Sequence, residues 1–356
     1  MAELIEYLRR TVADGASDLF ITAGSYICEK QDNHLRPISN ERMFPQDTEQ
    51  LITEIYTRAN RSMEAFRHSG DDDFSFAEPG LARFRVNTYR QRGSLAAVIR
   101  AVPFQIPNWK ALGIPEEVMR LSEITSGLVL VTGAAGSGKS TTQACVIDRI
   151  NHTREGHIIT LEDPIEFLHR NAKSIVSQRE VAIDTQDYLS ALRACLRQAP
   201  DVILLGEMRD HETIRTAMTA AETGHLVFAT LHTKGAVNAI DRIVDTFPAA
   251  QQSQIRFQMS MVLHTVVSQQ LLPDMNGCLI SAFEIMHMNS AIRSLIREGK
   301  THQIDNAIAI GTGEGMITMD QAILNLFQAG RISAETALIA AENPDQIRRR
   351  MGSDRT

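Results

Sequence analysis

The 356-residue chain has only four cysteines, Cys28, Cys145, Cys195 and Cys278, and no two of them form a Cys-x-x-Cys pair. That spacing excludes a zinc ribbon and a disulfide framework. The thiols are expected to be buried or half-buried in a reducing compartment. No apolar run approaches the roughly 18 residues that a helix needs to cross a bilayer. Residues Met1 to Val12 place Leu4, Ile5, Leu8 and Val12 between charges. This is the pattern of an amphipathic helix, not of a signal peptide. The chain is therefore expected to stay in the cytoplasm, without direct membrane insertion, and to meet a membrane only through a partner. Basic residues are also in deficit, 36 against 43 acidic, for a net charge of −7. The deficit argues against nucleic acid as a partner, because phosphate neutralisation needs a concentrated basic face. No internal repeat and no low-complexity tract is present. The triplet Arg348-Arg349-Arg350 reads as a solvated helix end.

What remains is an ordinary globular composition, 43% apolar and 22% charged, long enough for two domains. The first part reads as a small α+β unit. It has an N-terminal helix, a strand at Asp18–Thr22, helices at Gln46–Ala59 and Ser62–Ser69, and strands at Asp73–Ala77, Arg83–Gln91 and Leu95–Val102. Pro103, Pro107 and Pro115 mark residues 103–115 as a linker, since proline fixes φ and disfavours helix before it. Beyond it, apolar strands alternate with helices. The strands are Gly127–Thr132, His157–Leu161, Val202–Gly206 and Leu226–Thr230. This is the pattern of a parallel sheet with helical crossovers. From about Ala250 the chain is expected to be mostly helical, with segments at Ser253–Gln270, Ser290–Glu298 and Thr318–Ala329.

Residues 133–140 read Gly133-Ala134-Ala135-Gly136-Ser137-Gly138-Lys139-Ser140, a complete phosphate-binding loop between a strand and a helix that continues through Thr141. Small residues let successive backbone N–H groups converge on phosphate oxygens. The following helix adds its N-terminal partial charge. Lys139 suits the β- and γ-phosphates, and the Ser140 hydroxyl suits Mg²⁺. The run Asp201-Val202-Ile203-Leu204-Leu205-Gly206-Glu207 is an apolar strand ending in an acid, the partner such a loop needs near its metal. A second acidic group, Glu162, Asp163 and Glu166, follows the strand at 157–161. Ligands of open parallel sheets bind outside the carboxyl ends of the strands, so one of these carboxylates could orient the attacking water. His225 and His232 flank one strand, and no cysteine lies near enough to make them a zinc pair. The loop itself holds no arginine. Arg83 and Arg85 share one face of a strand and are candidates for a finger that reaches a phosphate from outside.

Together these elements resemble the type IV pilus retraction ATPases, the PilT/PilU family of secretion-type motors. The residues that carry the resemblance span nearly the whole chain. They are Ser17-Asp18-Leu19-Phe20-Ile21-Thr22, Arg83-Phe84-Arg85-Val86-Asn87 and the loop at 133–140. They continue with the aspartate box Glu162-Asp163-Pro164-Ile165-Glu166-Phe167, then Gln178-Arg179-Glu180-Val181, Leu196 to Asp201 and Gly206 to Asp210. The histidine box runs from His225 to His232, and the last motif is Ala291-Ile292-Arg293-Ser294-Leu295-Ile296-Arg297-Glu298.

The resemblance implies a PAS-like α+β domain over 1–102 and a RecA-like P-loop ATPase domain over 116–356 with a helical C-terminal part. It implies ATP and Mg²⁺ as ligands and a homohexamer working on an inner-membrane pilus platform protein, with a paralogous retraction ATPase as a further partner. In that reading Glu166 orients the water. Glu207 supports the metal together with Ser140, Glu162 and Asp163. His225 and His232 couple nucleotide state to movement. Arg83, Arg85 and Arg100 are finger candidates. Three places depart from the family pattern. Ala134 and Ala135 stand where Pro and Thr are usual, Ala229 where Gly is usual, and Asp32-Asn33-His34 lacks the usual Asn-Gly turn. Three other functions would leave different marks. An extension ATPase usually carries a longer N-terminal region and a four-cysteine zinc module. A small-molecule kinase would lack the paired histidines, and a non-hydrolysing adaptor would lack the acids.

Overall fold

The computed structural model describes residues 3–31, 34–102 and 105–353. It divides into two compact units, Met1–Gln105 with Glu166–Leu168, and Ile106–Ile165 with His169–Thr356.

The first unit runs α1 (Leu4–Ala13), β1 (Asp18–Ile21), β2 (Cys28–Gln31), β3 (His34–Pro37), α2 (Pro45–Arg58), α3 (Glu64–Ser69), β4 (Asp71–Glu78), β5 (Ala82–Gln91) and β6 (Ser94–Val102). Its sheet is antiparallel throughout, in the order β3-β2-β1-β6-β5-β4. Alternation along β5 buries Phe84, Val86 and Thr88 and turns Arg83 and Arg85 to the other face. Leu4 and Leu8 of α1, and Ile52, Ile55 and Tyr56 of α2, close over the apolar face. Full burial of such a side chain contributes about 1.5–3 kcal/mol. The β2–β3 hairpin spans the turn at 32–34 that departs from the family pattern. Its Gln31 and His34 are register partners, while Asp32 and Asn33 of the unusual turn lie outside the described residues, as does Pro103.

The second unit runs α4 (Glu116–Met119), β7 (Gly127–Thr132), α5 (Lys139–Thr153), β8 (His157–Glu162), β9 (Ile175–Glu180), α6 (Tyr188–Cys195), β10 (Val202–Leu205), α7 (His211–Glu222), β11 (Leu226–Leu231), α8 (Ala236–Asp245) and α9 (Ala249–Val262). It continues with β12 (Leu263–Pro273), β13 (Leu279–His287), α10 (Ser290–Glu298), α11 (Ile304–Ile310), α12 (Met319–Gln328), α13 (Ala334–Ala340) and α14 (Pro344–Ser353). The sheet order is β13-β12-β7-β11-β10-β8-β9, parallel except for β13. Both faces are covered. Leu128, Leu130, Ile203 and Val227 pack with Ile214, Met218 and Ile240 on one side. Val129, Val202, Leu204 and Phe228 pack with Val146, Ile147 and Ile150 of α5 on the other. Strands buried on both faces are why these segments read as continuous apolar runs. Among the described residues no helix is long and apolar enough to cross a membrane.

Two expectations need correction. The stretch Ser253–Gln270 is not one helix: α9 stops at Val262 and β12 begins at Leu263. The run Thr265-Val266-Val267 carries β-branched side chains that favour a pleated surface. It also fills the free side of β7, with Val266 opposite Leu130 and Val267 opposite Val131. The C-terminal part is therefore a strand pair joined to helices. The cysteines are not uniformly sheltered either, since Cys278 is exposed in the turn between β12 and β13. Cys145 and Cys195 are buried, and burial pushes each thiol up to about 11.

Candidate nucleotide site

The loop at 133–138 leaves the carboxyl end of β7 and turns directly into α5. Gly133 has φ +145° and Gly138 φ +87°. A Cβ on Gly133 would meet Ser137 Oγ at 2.6 Å and the backbone oxygen of Gln269. A Cβ on Gly138 would meet Gln269 Nε2 at 2.8 Å. Glycine is needed at both positions, and β12 is the wall behind them. Lys139 Nζ is folded over the loop and donates to the carbonyls of Gly133 (2.9 Å) and Ala134 (2.8 Å). Ser137 Oγ is buried without a hydrogen-bond partner. Ala134, Ala135 and Gly136 form the exposed lip, and Ser140 and Thr141 are half-buried in the first turn of α5. The cradle, the inward cation and the orphaned hydroxyl fit a polyphosphate.

The acids arrive at the same sheet edge because the strands are parallel. Glu207 lies two residues past β10, held between Gly206 N–H bonded to Leu161 O (2.8 Å) and Met208 N–H bonded to Thr230 O (3.2 Å). Asp210 then caps α7 by accepting the Thr213 N–H at 2.8 Å, which ends the turn. Glu207 is 9% exposed and has two nitrogen-bearing side chains beside it. Arg209 Nη2 pairs with its Oε1, and His232 Nε2 stands 3.4 Å from its Oε2. Glu162, at the end of β8, accepts from Thr160 Oγ1 at 2.6 Å and Gln178 Nε2 at 3.2 Å. Asp163 and Glu166 are exposed in the segment that follows. Among the described residues no three His, Cys, Asp or Glu side chains converge to hold a metal by themselves. The Ser140 hydroxyl and the Glu207 carboxylate are hard oxygen donors of the kind Mg²⁺ takes, usually one or two with substrate phosphate.

A single family model covers residues 2–305 and describes a type II/IV secretion system protein. The chain belongs to that family. A type IV pilus retraction ATPase, PilT of Pseudomonas aeruginosa, is 45% identical over 345 residues, 97% of this chain and 100% of its own length. The type IV pilus ATPase PilU of the same organism is 38% identical, over 97% of this chain and 90% of its own. A type II secretion system protein E from that organism is 40% identical, but over only 55% of this chain and 39% of its own. Among solved structures, the pilus retraction motor PilT with bound ADP matches with a TM-score of 0.90. It is 44% identical and covers 98% of this chain and 100% of its own. The chain is thus a mixed α/β protein of the PilT/PilU-like secretion ATPases.

Seen as a member of this family, the chain brings some expected residues together and leaves others apart. Lys139, Ser140, Glu162, Glu207 and His232 share one sheet edge. His225 does not join them. It pairs by its backbone with Gly127 at the opposite end of β11, a six-residue strand roughly 20 Å long. Its Nδ1 lies 3.0 Å from Ala220 O and 3.2 Å from Thr223 Oγ1, at the end of α7. In the first unit, Arg85 and Arg100 are register partners on neighbouring strands. Arg85 pairs with Asp73 at 2.7 Å and Arg100 with Asp18 at 2.8 Å, and Arg83 is half-buried along the same strand as Arg85. The motif at 291–298 is α10, with Ile292 and Ile296 buried and Arg293 donating to the Met261 carbonyl at 3.3 Å.

Two residues at the site were missed. Gln269 lies in the stretch expected to be helical, and only the β-branched run before it marks the strand. Tyr188 opens α6, and its hydroxyl sits 2.6 Å from where a Cβ on Gly206 would be. Burial pushes its phenol well above the usual value, and Asp163, Glu207 and Glu162 add to the rise. No local signal distinguishes it.

Proposed function

We propose that this chain is an ATP-hydrolysing motor that powers type IV pilus retraction. The observation that carries the reading is the match to PilT along nearly the whole chain, joined to a complete phosphate loop. The extension ATPase is the weaker reading, because its type II secretion relative aligns with little more than half of this chain.

In this reading the first unit is a PAS-like domain, residues 1–102, joined by 103–115 to a RecA-like ATPase domain, residues 116–356. The chain assembles as a homohexamer on an inner-membrane platform protein, and a paralogous ATPase of the PilU kind is a further partner. Lys139 and the loop N–H groups bind the phosphates of ATP. Ser140 and Glu207, with Glu162 and Asp163 nearby, would hold Mg²⁺, whose bound charge would offset that of the phosphates. Glu166 takes a proton from the water as its oxygen bonds to the γ-phosphorus; the bond from that phosphorus to the β–γ bridging oxygen breaks, and ADP leaves with its electron pair. Positioning and charge supply most of the rate in such a reaction. His232 sits on Glu207 and is placed to report nucleotide state. Arg83, Arg85 and Arg100 are the candidates for a finger supplied across a subunit boundary. Arg100 is 62% exposed, while its partner Asp18 is buried and also accepts from Ser17 Oγ at 2.8 Å.

Deletion of the gene tests the function. Loss of twitching with surplus surface pili is the expected result. Loss of the pili themselves would overturn retraction and favour assembly.

A further inference from the structure

Glu284 belongs to no motif recognised in the sequence, yet it is a 2% exposed carboxylate at a junction of three elements. It sits on β13 opposite Ser268 of β12. The pair grips the start of α8. Ser268 Oγ accepts the Gly235 N–H at 2.9 Å, and Glu284 Oε1 accepts the Ala236 N–H at 2.7 Å. The other carboxylate oxygen accepts the N–H of Met319, the first residue of α12, at 3.3 Å. Both helices are ten residues long, and their N-terminal partial charges favour an anion there. The gripped residues lie just after the segment 232–234, whose His232 stands 3.4 Å from Glu207 Oε2. Successive residues of β12 thus brace the two sides of the site, Gln269 behind the phosphate loop and Ser268 behind the His232 loop.

Burying a carboxylate is costly, and a neutral side chain would fill the same space without that cost. Burial does push Glu284 up to about 7, against the two N–H bonds, and Glu342 and Asp305 add to the rise. A group kept at such a cost and aimed at two helix starts has a positional task.

We propose that Glu284 is a positioning residue for ATP hydrolysis, tying the first residues of α8 and α12 together so that His232 is held against Glu207. This rests on the ATPase reading above. Its test uses full-length Glu284→Gln, with Ser268→Ala as a second, milder variant. Two readouts are taken: steady-state ATP turnover, and hydrogen exchange of peptides covering 232–240 and 318–324.

A misplaced reacting geometry can cost up to about a hundredfold, so kcat of Glu284→Gln is expected to fall roughly ten- to a hundredfold. KM for ATP should move less than about twofold, since ground-state binding is untouched. Both peptides should exchange faster than in the parent, while the peptide of β7 and the phosphate loop should not. Ser268→Ala should shift kcat and the 232–240 peptide in the same direction by a smaller factor. A lowered melting temperature with parental kcat per folded hexamer would make Glu284 structural only and overturn the proposal. If the parent itself does not hydrolyse ATP, the motor reading fails; unchanged exchange at 232–240 in Glu284→Gln would then separately overturn the clamp.

Discussion

Thr142, in the first turn of α5, donates a hydrogen bond to Gln269 Oε1 at 2.8 Å across 127 positions of sequence. Both side chains are buried, at 1% and 2% exposure. The phosphate loop is therefore held from behind by a strand of the C-terminal part. Gln269→Leu would keep the volume and leave the Thr142 hydroxyl without its acceptor. A buried group so orphaned costs about 1–3 kcal/mol. The expected outcome is a lower melting temperature and a raised KM for ATP. Thermal melts and a substrate titration check it, and parental values in both would refute the bracing role.

Glu166→Gln removes the proposed base while keeping size and hydrogen-bonding capacity. General-base catalysis is worth about 10²–10⁴-fold, so turnover should fall by at least about a hundredfold. Binding of a fluorescent ATP analogue should remain. Turnover at the parental rate would move the assignment to Glu162 or Asp163.

The two histidines should separate cleanly. His232→Ala is expected to lower kcat, because the ring borders Glu207. His225→Ala should lose the contact at the end of α7, about 1 kcal/mol of stability, and keep its turnover. Turnover and melting temperature measured on both variants decide the matter. A His225→Ala enzyme with normal melting and lost turnover would place that ring at a subunit boundary instead.

Glu284 also makes stability depend on pH. Its folded-state value, about 7, lies above the ordinary 4.5 for glutamate. Between those values the native state binds more protons than the unfolded chain, so stability falls as pH rises. The favourable contribution is complete below about 4.5 and is lost as pH passes through about 7. Glu342 and Asp305 face Glu284, while Asp320 and Lys234 act on Glu342, so their own titration shapes the same window. The melting temperature of Glu284→Gln minus that of the parent should therefore grow from pH 4.5 to pH 8. A difference that stays flat with pH would show that the carboxylate does not titrate in this range.

Much of the site was legible because it is local. The phosphate loop needs consecutive small residues, a lysine and a hydroxyl, and neighbours in sequence are neighbours in the cradle. Glu162, Glu207 and His232 were legible one step further, because each closes an apolar strand and parallel strands end at one edge. The Ser253–Gln270 segment misled because helix and strand compete over a short apolar run. The bare side of β7 decided in favour of strand, and that side exists only once the sheet has formed.

By itself the sequence determined the alternation of strands and helices, the phosphate loop and the acids at the strand ends. These depend on periodicity and on residues close together in the chain. Only the tertiary structure decided that the His225 ring rests on the end of α7, and that Tyr188 rests on Gly206. It alone brought Gln269 behind the loop and Glu284 beneath two helices. Each of those depends on a contact between distant segments, whose partner is set by packing and not by any local pattern.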